Sequence, residues 1–211
     1  AWTAELDGFR LLPPGVRLSQ LIGRTEFEMA LSLMPDFSRE QIERLKPWAV
    51  LAVLEARGER PGGDGLDGGI VAAAQARGLP LLTLETLEDQ LRALDCVHYG
   101  EQARVLEERL KAPWLLREMS DRALRHYHDR NLPGWLADVD RMIGLGPEGQ
   151  AIERRARECL IEQRNARWMP ALVARLREGG HFVAVGALHL VGEHGLLAEL
   201  ARAGFTVEIE P

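Results

Sequence analysis

The sequence predicts an α/β fold: a small, mostly parallel sheet flanked by helices, with a large helical insertion between core strands. Three observations carry this expectation. Phe182-Val183-Ala184-Val185 is a short apolar run that ends in Gly186 and precedes a helical pattern over 194–202. Leu79-Pro80-Leu81-Leu82-Thr83-Leu84-Glu85 is a second such run, with a helix start at Thr86. Phe205-Thr206-Val207-Glu208-Ile209 is a third. Apolar runs of this length, alternating with helical patterns, read as buried strands of an α/β core.

The remaining elements follow in order. Residues 1–7 read as a strand or its tail, and Leu12-Pro13-Pro14-Gly15 as a turn. Residues 17–33 carry apolar residues at helical spacing, broken near Gly23. Ser38 is an N-cap whose capping box Gln41 completes, and that helix stops before Pro47. Residues 48–57 form another helix, 58–69 an exposed Gly/Asp/Pro-rich loop, and 66–78 a helix ended by glycine. Thr86 caps the next helix, with Glu88 and Asp89 in its first turn. From 87 to about 130 the chain reads as helical, broken at His98-Tyr99-Gly100 and Pro113. Helices follow at 135–142, 148–169 and 171–177. The domain is expected to be single, 1–211, with 87–170 as a mostly helical cap.

Formal net charge is -6, which argues against general nucleic-acid binding. No stretch approaches the roughly 20 apolar residues of a transmembrane helix. Cys96 sits beside an expected helix end and Cys159 inside a helical pattern, and two buried free thiols are favoured over a disulfide. The chain begins at Ala1-Trp2-Thr3 without a Met, so a processed or trimmed chain is expected.

Two predicted turns could carry chemistry. Glu85 ends one expected strand and His189 follows another. In open α/β sheets, ligands bind beyond the carboxyl ends of strands. A carboxylate and an imidazole there could hold a divalent metal or form an acid/base pair. Each also has a plainer reading: Glu85 as a solvated or capping residue, His189 as a hydrogen-bonding turn residue. His126 and His128 are two apart on a helix and point in different directions. Arg164 sits in an arginine-rich segment with Arg154, Arg155, Arg157 and Arg167. That segment reads either as a solvated face or as a helix turning Arg164 inward to grip a carboxylate. Asp67, Glu85 or a substrate carboxylate could be the partner. There is no Gly-x-Ser-x-Gly elbow, no phosphate-binding glycine fingerprint and no zinc-type cysteine spacing.

Four ordered segments carry a resemblance. They are Leu45-Lys46-Pro47-Trp48; Gly65-Leu66-Asp67 leading to 81–86; Glu162-Gln163-Arg164-Asn165 with Trp168-Met169; and 182–190 with Gly192 and Gly195. Together the chain resembles the TraB/GumN family, which includes the TIKI metalloproteases. The resemblance implies an α/β fold and a manganese- or cobalt-dependent hydrolase site for peptide or protein substrates, with zinc as an alternative ion. Such sites resemble two Gly-x-x-His motifs plus a glutamate. Gly186-Ala187-Leu188-His189 matches the second motif. The first is absent, and its place is expected before Ala1. Glu5, in Glu5-Leu6-Asp7, looks like the close of the family's second strand.

The implied metal ligands are therefore His189, Glu85 and Glu5. The catalytic candidates are Glu85, His189 and Arg164, and Asp67, Asn165 and Gly186 position the site or the substrate. A domain without its first strand leaves a sheet edge through which a homodimer could form. The family suggests a periplasmic or exported protein. Two further readings stand beside the hydrolase: a non-catalytic ligand- or protein-binding member that lacks the first motif, and a haem or small-ligand binder.

Overall fold

In a computed structural model, the structure describes residues 4–56 and 65–208, with side chains described from Asp7 to Ala56 and from Leu66 to Glu208. Among them the regular elements are helical, and there is no sheet. The expected α/β fold is thus corrected to a helical one. Among the described residues the β-type contact is an isolated antiparallel bridge between Leu11 and Leu45.

Among the described residues there are twelve α-helices: α1 (Ala4–Arg10), α2 (Arg24–Leu33), α3 (Arg39–Arg44), α4 (Pro47–Glu55), α5 (Gly65–Ala76) and α6 (Leu87–Leu94). Then come α7 (Tyr99–Lys111), α8 (Trp114–His128), α9 (Leu132–Arg141), α10 (Pro147–Arg157), α11 (Gln163–Glu178) and α12 (Leu196–Arg202). Local chemistry sets many of the ends. The Ser38 side chain accepts from the Gln41 backbone, and Thr86 from that of Asp89, each as part of a reciprocal box. Gly78 stops the chain after α5 with a φ of +65°, a conformation that favours glycine.

The main core lies between α2, α3, α4 and α7, around Leu18, Phe27, Met34, Ile42, Val50, Leu106 and Leu110. Helix α7 also packs on α10, and its Val105 joins Val97, Met142, Leu145 and Ile152 in a second cluster. A third cluster, Trp168, Leu172 and Leu196, joins α11 to α12. The Leu45-Lys46-Pro47-Trp48 segment is a structural clasp. Lys46 Nζ donates to Asp95 Oδ2 at 2.5 Å and to the Gly8 carbonyl at 3.1 Å, and Trp48 Nε1 donates to the Phe9 carbonyl.

The three expected strands are extended or irregular segments without ladders. No backbone hydrogen bond joins any of them to another among the described residues. Much of their apolar surface is open, with Leu82 64% and Phe182 81% exposed, while Leu84 and Val185 pack against the Trp168 cluster. Strand stability comes from cross-strand pairs, which are non-local. An apolar run favours extended backbone but does not supply its neighbour. The expected first strand over 1–7 is also corrected, because Ala4–Arg10 is helix α1. Of the expected loop 58–69, residues 58–64 lie outside the described residues, as do residues 1–3 and Ile209, and the rest belongs to α5.

The expected helix break between 169 and 171 does not occur. Helix α11 runs through Pro170 to Glu178. Nor are the cysteines free, as expected: Cys96 and Cys159 form a disulfide with their Cα atoms 6.5 Å apart. It ties the turn after α6 to a single π-helical turn, Glu158–Glu162, between α10 and α11.

Candidate functional site

Four of the expected site residues converge where the π-turn meets α11. In that turn the Gln163 N–H reaches the Glu158 carbonyl, five residues back. Such turns recur at functional sites. Helix α11 then presents Arg164 and Trp168, one helical turn apart, with Asn165 beside them. Glu85 arrives from the end of the 79–85 segment, just before the Thr86 cap. His189 arrives from a single 3₁₀ turn, Ala187–His189, after Gly186. The Gly186 carbonyl accepts the His189 N–H at 2.9 Å, which closes that turn.

Arg164 is the hub. Its Nε donates to both Glu85 oxygens at 3.1 Å, and Nη2 donates to Oε1 at 2.5 Å. Nη1 donates to the Leu160 carbonyl at 2.9 Å and reaches His189 Nε2 at 3.2 Å. Trp168 Nε1 donates to Glu85 Oε2 at 3.3 Å, and the Trp168 ring lies 4.8 Å from the guanidinium carbon. A guanidinium over an aromatic face gains cation–π attraction. The Glu85 and Arg164 side chains are mostly buried, so this ion pair is shielded from solvent.

The imidazole is equally constrained. Asn165 Nδ2 donates to the carbonyls of His189 and His194, which fixes the amide. Asn165 Oδ1 must then accept, and it lies 2.7 Å from His189 Nδ1. The proton therefore sits on Nδ1 and a lone pair on Nε2, facing Arg164. Burial, and after it the Arg164 charge, lower the His189 pKa against an opposing pull from Glu85, to about 4. His189 is neutral at pH 7. The carboxylate and guanidinium cancel, so the whole cluster carries no net charge.

This sets a pH window. The unfolded imidazole titrates near 6.5 and the folded one near 4. Between those values the unfolded chain binds more protons, so stability rises with pH. The contribution is complete above about pH 6.5 and is lost as pH falls to 4. Its size is about 3 kcal/mol. Urea unfolding of metal-free protein from pH 4 to 7.5 should show this slope, and His189→Gln should flatten it. Parallel pH profiles for the two proteins would refute the assignment.

The other candidates fall elsewhere. Arg164 pairs with Glu85 and not with Asp67, which is exposed in the first turn of α5. Glu5 lies in α1, so it closes no strand, and its side chain lies outside the described residues. His126 belongs to a separate network with Asp138 and Arg122. Trp168 is the site residue that sequence reasoning did not single out. Its signal was present in its position four residues after Arg164, on the same helical face. Gly195 serves the site indirectly. A Cβ there would lie 2.5 Å from the Val191 carbonyl oxygen, so only glycine fits the loop carrying His194.

Glu85 and His189 are donor types suited to manganese, cobalt or zinc. The Nδ1–H of His189 is held by a fixed carbonyl oxygen, as in metal-ligating histidines. The described residues contain no group of three His, Cys, Asp or Glu side chains placed to hold an ion. Nor does any described helix have the length and apolarity to cross a membrane.

Fold and site thus define a helical domain with a buried, charge-balanced His–Asn–Arg–Glu cluster. The profile of the TraB/PrgY/gumN family matches residues 3–209, and the chain belongs to that family. No curated protein and no solved structure matches it.

Proposed function

We propose that the chain is a metal-dependent hydrolase acting on peptide-like substrates, with Glu85 and His189 as its metal-facing residues. The observation that carries this reading is the His189 imidazole, neutral and locked by Asn165 with its Nε2 lone pair turned toward the Glu85–Arg164 pair. Family membership and donor chemistry support it. When bound, a divalent ion would activate water and polarise a carbonyl.

The chain's own residues divide the remaining work. Asn165 sets the tautomer of His189. Arg164 orients the Glu85 carboxylate and carries N–H donors suited to a developing oxyanion. Trp168 shields the pair from water. Because Arg164 Nη1 now donates to His189 Nε2, an ion at Nε2 requires the guanidinium to turn aside.

The experiment strips the protein of metal, adds Mn²⁺, Co²⁺ or Zn²⁺, and follows both ion binding by calorimetry and cleavage of a peptide library. Metal-dependent cleavage is expected, with a loss of at least a hundredfold in His189→Ala and Glu85→Gln. No metal-dependent cleavage, with His189→Ala indistinguishable from the parent, would sink the reading. A second reading, a non-catalytic binding protein, draws on the way Arg164 occupies both donors. It predicts no ion binding at all by the parent protein.

An exported location belongs to the same proposal, because disulfides such as Cys96–Cys159 persist in oxidising compartments. Alkylation in freshly lysed cells should leave both cysteines unmodified until reductant is added. Immediate modification would count against export.

A further inference from the structure

Beside the candidate site lies a cavity of about 360 Å³ between α4, α7, α8 and α9, a volume typical of small-molecule pockets. Its wall is largely apolar, with Val105, Leu116, Met119 and Trp135 among its residues. Leu188, the residue before His189, also lines it. Two carboxylates, Glu55 and Glu153, break this apolar wall. A smaller cavity of about 140 Å³ adjoins, and the same two carboxylates line it.

Neither carboxylate has a hydrogen-bond or ion-pair partner among the described residues. Among the described residues the opposing charge is Arg109, which is buried, lines the same cavity and is engaged elsewhere. Its Nη1 donates to the Ile143 carbonyl at 2.5 Å and faces Met119 Sδ at 3.6 Å. The other charged residues at the cavity, Arg122 and Asp138, are paired bidentately with each other. Two acids therefore face one arginine that is already engaged.

We infer that this cavity binds a small organic monocation, its protonated amine between Glu55 and Glu153 and its apolar body against Leu116, Met119 and Trp135. A primary ammonium offers three N–H donors and no acceptor, which suits four unfilled carboxylate oxygens. An anion meets repulsion there, and a neutral alcohol leaves one carboxylate unserved. The surroundings agree with this assignment. Desolvation raises both carboxyl pKa values, and the Glu153 charge raises that of Glu55 further, with Arg109 opposing. By accessible surface Glu55 is exposed and Glu153 half-buried, so both carboxylates are within reach of a solute entering from solvent. A bound cation supplies the partner that both acids lack among the described residues. The inference does not rest on hydrolytic activity or on a metal.

Calorimetric titration at pH 7.5 with four probes tests it: n-octylammonium, n-octanol, octanoate and methylammonium. Octylammonium is expected to bind saturably at one site and at least tenfold more tightly than octanol. Octanoate and methylammonium should show no saturable binding. In the Glu55→Gln/Glu153→Gln protein the preference for octylammonium over octanol should shrink to within threefold. Equal binding of octanol and octylammonium by the parent protein overturns the assignment. So does methylammonium binding as tightly as octylammonium, which would mean attraction to the acidic surface alone. The absence of saturable octylammonium binding also overturns it. The probe comparison uses the parent protein, so the test stands even where the double variant fails to fold.

Discussion

Arg164→Ala is expected to lower folding stability by about 3–5 kcal/mol, the usual cost of removing one partner of a buried ion pair. The loss exceeds that of an exposed ion pair for identifiable reasons. Glu85 would keep its charge in a mostly buried place, with only the 3.3 Å bond from Trp168 Nε1 remaining. The Leu160 carbonyl and His189 Nε2 would each lose a donor at the same time. Arg164→Lys should recover little, because an ammonium cannot span the carboxylate, the carbonyl and the imidazole with one planar fork. Glu85→Gln combined with Arg164→Met should recover most of the loss, since no uncompensated charge is then buried. Urea unfolding of the parent and these three variants at pH 7.5, with the disulfide intact, measures the differences. The His189 pKa is a second readout. Losing the Arg164 charge removes an influence that holds it down, so it moves up from about 4, which NMR titration detects. A loss below 1 kcal/mol in Arg164→Ala, with the imidazole unmoved, would show that the cluster does not work as a unit.

What the sequence made legible was mostly local. The caps at Ser38 and Thr86 depend on residues three positions apart, and both form as read. The helices over 87–130 break near His98 and at Pro113, where the backbone chemistry demands it. The pairing of Arg164 with Glu85 spans 79 residues. Residue chemistry left its partner open among three choices, and the fold decides for Glu85. Strands were misread because an apolar run of four to seven residues is compatible with several structures. Phe182 and Leu82 fit the pattern of a buried strand, yet both are exposed, since nothing in a local run specifies the neighbour that would cover it. The disulfide was missed for the same reason. Neither cysteine's surroundings show that the π-turn brings Cys159 to Cys96.

Reducing the Cys96–Cys159 disulfide is expected to cost about 4 kcal/mol of stability, by the chain entropy of a loop of this length. The bond closes a sequence separation of 63 residues, which include α7, α8, α9 and α10. Its removal chiefly enlarges the unfolded ensemble, so the urea midpoint should fall and the denaturant slope should also change. The effect should also reach the site. Cys159 belongs to the π-turn whose Leu160 carbonyl receives Arg164 Nη1, only five residues before Arg164. Releasing that turn loosens the grip of Arg164 on Glu85, and the His189 pKa should drift upward toward its ordinary value. Cys96→Ser/Cys159→Ser and the reduced parent protein should behave alike in both measurements. An unchanged urea midpoint on reduction would remove the stabilising role. A fallen midpoint with an unmoved His189 titration would confine the bond to stability and uncouple it from the Arg164 cluster.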